Sequence, residues 1–366
     1  MKYVDEYRDN EQVRSLVRAI RNKVTHPWNI MEICGGQTHA IARYRLEEML
    51  PPEVKLLHGP GCPVCVTPTE TIDLALRLAS RSEVIFTSFG DMMRVPGSQD
   101  DLLRVKAKGA DVRMLYSPLD AVTLAAENPG KEIVFFAIGF ETTAPVHLMA
   151  LKEAIRRQLP NLSVLTSLFC VPPAIEALLS DADGRINGFL TAGHVCAITG
   201  NEAYRRLAAH YQTPMVVTGF EPVDLLYGIY RCISLLQEGI CPVENAYKRA
   251  VPEEGNPAAR ALMDEMLEPC DQTWRGIGII PQSGLCLQKK YANYSAREKF
   301  SFLAEERILL QEENNKAAEC IAGLIMRGLK QPSDCPHFGT ACHPSHPVGA
   351  PMVSPEGVCA AYYRYR

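Results

Sequence analysis

The sequence predicts an α/β protein built from two related open parallel-sheet domains with helices on both faces, followed by a smaller, mostly helical C-terminal domain. Three observations carry this. From about 29 to 236, short apolar runs alternate with amphipathic helical patterns. The runs are rich in Val, Ile and Phe, as expected of strands buried on both faces of a parallel sheet. A weak repeat then divides the region: a Phe flanked by a small residue and an acid, just past an apolar run. It occurs as Thr87-Ser88-Phe89-Gly90-Asp91, Ile138-Gly139-Phe140-Glu141 and Thr218-Gly219-Phe220-Glu221, and it favours two open sheets over one closed barrel of eight strands. At each copy the glycine suits a tight strand-to-helix turn, and the acid suits a helix N-terminus.

In chain order the strands fall at 29–33, 54–57, 84–87, 112–116, 133–137, 162–167, 186–190 and 215–218. Helical patterns intervene at about 37–50, 69–80, 98–108, 119–126, 145–158, 173–179, 203–210 and 223–237. Beyond Gly239, helical patterns at 243–250 and 257–267 lead to 276–281, read as a strand or turn, and then to a polar helix at 305–327. From 331 to 357 prolines and histidines recur with no hydrophobic period. Such a stretch is either disordered or clamped by something other than an apolar core.

The chain has 366 residues, enough for two or three domains with a core that needs no disulfide staples. Hydrophobic residues make up 47% and charged ones 22%, an ordinary globular balance. A net charge of −4 gives no basic excess to attract nucleic acid or an anionic membrane. The first dozen residues are charged throughout and make no signal-peptide core, and the best apolar run, 133–140, is too short to span a bilayer. A cytoplasmic protein is expected.

Thirteen cysteines, an odd number, disfavour a secreted disulfide framework and add weight to metal or redox chemistry. Cys170, Cys196, Cys232, Cys241, Cys270 and Cys286 are scattered and read mostly as small core hydrophobes. Cys320, Cys335, Cys342 and Cys359 crowd the end with spacing C-x14-C-x6-C-x16-C. Structural zinc sites usually contain a C-x2–4-C knuckle, which is missing here, whereas an iron–sulfur cube takes four well-separated thiolates. The C-terminal domain is therefore read as an iron–sulfur domain. Zinc held by Cys335, Cys342, Cys359 and one of His337, His343 or His346 stays open on spacing alone.

Gly59-Pro60-Gly61-Cys62-Pro63-Val64-Cys65 follows a strand and precedes a helix. A C-P-x-C pair beside a helix N-terminus has the logic of a dithiol redox site, with half of a zinc knuckle as the alternative. Thr67-Pro68-Thr69-Glu70 reads as a capping box with proline at the first helical position, so the helix cap falls two residues after Cys65. Cys34 opens Cys34-Gly35-Gly36-Gln37-Thr38-His39 at the carboxyl end of a strand, where open α/β sheets bind ligands. Its alternative is a buried small hydrophobe. If the strands are parallel, Cys34, Cys62, Cys65, Asp91, Glu141 and His194 all occupy carboxyl ends and face one cleft. His39 joins them as a candidate. No G-x-x-x-x-G-K-[ST] or G-x-G-x-x-G motif supports a standard nucleotide site.

Cys34-Gly-Gly-Gln-Thr-His39, Gly59-Pro-Gly-Cys-Pro-Val-Cys65, Phe89-Gly-Asp-Met-Met-Arg-Val-Pro-Gly97, Gly139-Phe-Glu-Thr-Thr143, Ala192-Gly-His-Val195 and the cysteine-spaced tail together resemble the HypD family of hydrogenase maturation proteins. The resemblance covers nearly the whole chain. It implies a scaffold on which the Fe(CN)2CO group of [NiFe]-hydrogenase is assembled, together with a HypC-type small chaperone and a HypE-type cyanide donor. It implies Cys34 as the iron-binding thiolate, Cys62 and Cys65 as a redox-active pair, and Cys320, Cys335, Cys342 and Cys359 as ligands of a [4Fe-4S] cluster. The expected division is 1–50 packing with the C-terminal part, 51–135 and 136–240 as the α/β domains, and 241–366 as the cluster domain. A dithiol delivers two electrons at once, so a relay from cluster to Cys62 and Cys65 to the iron at Cys34 is expected. The alternative function is a thiol–disulfide oxidoreductase with a metal-bound structural tail.

Overall fold

The computed structural model describes residues 4–305 and 320–366. Among the described residues, nine strands form two parallel sheets. In the first, β1 (Trp28–Glu32), β2 (Val54–His58), β7 (Gly188–Ala192), β8 (Met215–Thr218) and β9 (Val243–Asn245) lie in the order β2-β1-β7-β8-β9. In the second, β3 (Val84–Ser88), β4 (Val112–Met114), β5 (Glu132–Gly139) and β6 (Leu162–Leu168) lie in the order β4-β3-β5-β6. Every pairing within them is parallel. Strands β3, β7 and β8 are buried along their whole length, because helices cover both faces. Two open α/β sheets were expected, and all eight anticipated strands form.

Sheet membership departs from the expected boundaries. β1 pairs on both sides, Ile30 opposite Leu56 of β2 and opposite Gly188 of β7. The first sheet therefore takes strands from both ends of the α/β region, and the second takes the contiguous middle. A boundary between 135 and 136 falls inside β5. A repeat in sequence reports strand-to-helix turns, but not which strands become neighbours.

Other local expectations are corrected as follows. Residues 243–245 are an edge strand rather than a helix: Met215 pairs with Val243, and Asn245 Oδ1 accepts Tyr247 N–H in a turn that ends the strand. Charge in the first residues hid a helix, Asn10–Lys23. Asp9 caps it by accepting Gln12 N–H at 2.8 Å, and Val13, Val17 and Ile20 form its buried stripe. That stripe packs on the helix Pro222–Glu238. The polar helix expected at 305–327 falls largely on residues 306–319, outside the described residues; Ala322–Met326 is helical.

After the helix Pro257–Met266, strands β10 (Leu267–Trp274) and β11 (Gly278–Leu287) form an antiparallel hairpin. Cys270 and Cys286, read as core hydrophobes, are joined across it as a disulfide. Trp274 is buried near the hairpin tip, against Phe169 at 4.9 Å and Phe140 at 6.0 Å, and donates Nε1–H to Ser283 Oγ. The tip bridges distant parts: Arg275 N–H donates to Val66 O at 2.8 Å, and Gly276 lies directly on Gly323. From residue 331 on, the tail consists of short turns and the helix Val358–Tyr365. Among the described residues no helix is long and apolar enough to cross a membrane.

Ile20→Ala would leave a cavity between the N-terminal helix and Pro222–Glu238. It is expected to cost about 2–4 kcal/mol, read as a lower urea midpoint with unchanged far-ultraviolet circular dichroism.

Candidate functional site

Because the first sheet is parallel, the carboxyl ends of its strands share one edge, the usual ligand crevice of an open sheet. Cys34 follows β1, Gly59 to Cys62 follow β2, Gly193 and His194 follow β7, and Gly219 and Phe220 follow β8. Cys34, His194 and the loop leading into the C-P-V-C turn stand together at this edge.

Cys34 is the N-cap residue of the helix Gly35–Arg43, and its side chain is 3% exposed. Its sulfur stands 3.7 Å from His194 Nδ1 and 3.8 Å from Nε2, against the imidazole rather than on one nitrogen. Phe220 stacks on that imidazole at 5.2 Å and 23°. Gly36 leaves room here: a Cβ would lie 3.3 Å from the Phe220 ring and 3.7 Å from the Cys34 sulfur. Burial pushes the Cys34 thiol up and lowers His194 to about 4. The pair therefore rests as a neutral thiol against a neutral imidazole.

Cys62 and Cys65 are buried and joined as a disulfide, with Cα atoms 5.2 Å apart. The expected capping box does not form. The helix Thr69–Ala79 follows Pro68, which has no capping group, and the Thr67 hydroxyl donates instead to Pro63 O. Cys62 itself caps a four-residue helical turn, Pro63–Val66, with Pro63 preset at its first position and Cys65 N–H donating to Cys62 Sγ at 3.2 Å. Next to this turn, Gly61 lies against Cys34 backbone to backbone: Gly35 N–H donates to Gly61 O at 2.8 Å, and a Cβ on Gly61 would sit 2.3 Å from Cys34 Cα. A small cavity beside the disulfide is lined by Gly35, Thr38, Met326, Glu356 and Val358, so the tail closes the site.

The four tail cysteines interact with one another. Burial is the main cause that raises Cys320 and Cys359. Cys342 and Cys335 raise Cys320 further, and Cys320, Cys342 and Cys335 raise Cys359. Gly349 is bare where Cys320 Sγ lies, since a Cβ there would be 2.4 Å from the sulfur, and Val348 N–H points at Cys342 Sγ at 3.4 Å. Arg275, at the hairpin tip, donates to Pro96 O and places a positive charge where it lowers Cys320. Among the described residues, no three His, Cys, Asp or Glu side chains stand close enough to hold a single metal ion. His343 turns instead to Ser345.

The remaining candidates lie elsewhere. His39 binds the tail, with Nδ1 3.0 Å from Pro355 O and Nε2 3.3 Å from the Tyr365 hydroxyl. Asp91 accepts the Ser354 hydroxyl at 2.7 Å. Both are tail anchors, for sequence shows that a polar residue follows a strand but not which segment folds over it. Glu141 is buried, accepts Val171 N–H at 2.9 Å through Oε1, and leaves Oε2 without a partner; burial raises it to about 7. Sequence reasoning missed Glu32, His58 and Arg275. The available signal for the first two was an acid and a histidine ending the apolar strands β1 and β2.

The HypD family model, described as "Hydrogenase formation hypA family", matches residues 11–366. The chain belongs to the HypD family. It is 46% identical to hydrogenase maturation factor HypD2 of Bradyrhizobium diazoefficiens, over 100% of this chain and 97% of that protein. It is 44% identical to hydrogenase maturation factor HypD of Rhizobium leguminosarum bv. viciae, covering 100% of this chain and 96% of the relative. Against hydrogenase maturation factor HypD of Escherichia coli the identity is 43%, covering 100% and 98%. In this HypD-family chain the sequence motifs thus coincide with two kinds of place: the shared strand edge around Cys34 and the seam where the tail is held.

Glu141 offers a pH test of the buried edge. Its carboxyl titrates at about 7 in the fold against 4.5 when exposed, so the stability it lends below pH 4.5 is lost as pH rises through 7, by about 3 kcal/mol. Glu141→Gln removes this titration and keeps an acceptor for Val171. Urea unfolding from pH 5 to pH 8 is expected to show the variant gaining on wild type by that order; a constant difference would show that Glu141 is ionised in the fold.

Proposed function

We propose that this chain is a scaffold for assembling the Fe(CN)2CO group of [NiFe]-hydrogenase, with Cys34 as the thiolate that holds iron and Cys62 with Cys65 as the adjacent two-electron couple. One observation supports this above the rest: a buried thiol shares main-chain contact with the turn that carries a buried disulfide. The family's relatives, named as hydrogenase maturation factors, give the context.

Iron is the cargo. A thiolate is a suitable soft anchor for low-spin Fe(II) while strong-field cyanide and carbonyl are added. The buried Cys34 thiol keeps its proton until a cation arrives, and metal binding releases it. His194, uncharged near neutral pH, sets no positive charge against the incoming metal. Cyanide carried as a thiocyanate on a HypE-type donor is released by the dithiol. R–S–CN and two thiols become R–SH, HCN and the Cys62–Cys65 disulfide; the S–C bond breaks, the S–S bond forms, and the two thiol protons go to the leaving thiol and to cyanide. The Cys62–Cys65 disulfide supports this reading, being the form such a couple takes when oxidised.

Cys320, Cys335, Cys342 and Cys359 would hold a [4Fe-4S] cluster, which supplies single electrons when bound. Their mutual electrostatic influence and their failure to converge on a single-ion site both fit four separate corners rather than one zinc. A HypC-type chaperone would be the standing partner, in the cytoplasm.

Cys34→Ala is expected to abolish the infrared cyanide and carbonyl bands of the isolated complex while the tail's iron–sulfur absorbance stays; bands retained would remove Cys34 from the anchor role. Cys62→Ser is expected to leave iron binding intact but stop cofactor completion, and a normal cofactor yield would contradict the two-electron role.

A further inference from the structure

Glu32 ends β1 two residues before Cys34 and has no exposed surface. A carboxylate so placed persists only when its oxygens are bonded. Oε2 accepts Cys34 N–H at 2.8 Å. Oε1 accepts the Thr38 hydroxyl and, at 2.7 Å, His58 Nδ1–H. On the far side of the imidazole, Nε2 is hydrogen-bonded to the Tyr362 hydroxyl at 2.8 Å, and the two rings meet edge to face at 5.3 Å and 84°. Tyr362 in turn donates to Glu47 Oε2 at 3.0 Å, and Glu47 pairs with Arg366.

This chain of bonds joins the two ends of the protein. Tyr362 and Cys359 share the helix Val358–Tyr365, so the element that carries a tail cysteine also carries the hydroxyl that orients His58. Nearby contacts run the same way. Tyr365 and Pro355 hold His39 on the Cys34 helix, and Glu356 lies over Gly35, where a Cβ would be 2.6 Å from its backbone oxygen.

We infer that His58 and Tyr362 are positioning residues for Cys34: docking of the C-terminal helix completes the hydrogen bonding of buried Glu32 and thereby fixes the Cys34 peptide. The inference rests on the reading of Cys34 as the anchor and adds a condition to it, that the anchor is set only when the tail is seated. Without the phenol, His58 Nε2 loses its 2.8 Å partner and keeps only Glu47 Oε1, at 3.3 Å, in a site 4% exposed. Reaching that oxygen alone draws the imidazole from its place, so Glu32 loses a well-aligned donor and the first turn of the Cys34 helix loosens.

The test is hydrogen–deuterium exchange on the full chain, read by mass spectrometry in the peptide 32–40, with 215–226 as the internal reference. Four proteins form a double-mutant cycle: wild type, Tyr362→Phe, Ala361→Asp and the double variant. Ala361 is 1% exposed on the C-terminal helix, and a carboxylate there undocks it. Exchange in 32–40 is expected to rise about tenfold or more in Ala361→Asp and in Tyr362→Phe, with 215–226 unchanged in the latter. In the Tyr362→Phe background, Ala361→Asp should add less than about twofold. Full protection of 32–40 in Tyr362→Phe overturns the inference, as does an equal effect of Ala361→Asp in both backgrounds. A rise of 215–226 together with 32–40 in Tyr362→Phe overturns it too, since that is general loosening. If Ala361→Asp does not fold, the Tyr362→Phe arm decides alone. No iron enters the measurement, so its failure is separable from loss of the anchor role, which the infrared bands report.

Discussion

Parallel pairing of β1 on both of its edges is the constraint on which the rest depends. Ile30 lies opposite both Leu56 and Gly188, so three segments far apart in the chain run side by side in the same direction. Direction matters more than proximity here. Strands that run the same way end at the same edge, and the residues just past them are brought together whatever their separation in sequence. Cys34, the Gly59–Cys62 turn and His194 meet because β1, β2 and β7 stop together. An antiparallel arrangement of these strands would have sent every second loop to the far side.

Once gathered, these groups are governed by exclusion of water. A thiol, an imidazole and a carboxylate each carry a different cost when buried, and each is handled differently. Cys34 keeps its proton, His194 stays neutral, and Glu32 is held by three donors. Cys320 and Cys359 sit in a second such environment, where burial and the neighbouring tail thiols both favour the protonated form until a cation offsets them. The hairpin tip adds a half-buried guanidinium beside Cys320 and bonds to Val66 next to the front disulfide. Charge and connectivity thus run along the same physical path.

Much of this was legible in the sequence, for identifiable reasons. Strand positions were, because fully buried strands such as Val84–Ser88 and Gly188–Ala192 leave an unmistakable apolar run. So were Cys34 and Cys62 at the strand edge, since each follows such a run beside a glycine or proline. Sheet order was not: pairing of β2 with β1 and of β1 with β7 is a long-range fact with no local signature. The capping box at Thr67 failed because Pro63 already starts a helical turn at Cys62, and a local motif yields to the turn before it. The Cys270–Cys286 pair was hidden because its partners are recognisable only once the hairpin register is known. His39 and Asp91 were singled out as site candidates, yet what they touch is the tail, which has no periodicity to announce where it lies.

The backbone contact between Gly61 and Cys34 has one more consequence. Gaps defined by side chains breathe as rotamers exchange, on the scale of nanoseconds or less. A gap defined by two main chains already touching is as incompressible as the interior itself. The spacing between the main chains that carry the lone thiol and the neighbouring sulfur pair is therefore set by packing rather than by rotamer choice, and a change at position 61 alters it by moving whole loops rather than by tilting a single residue.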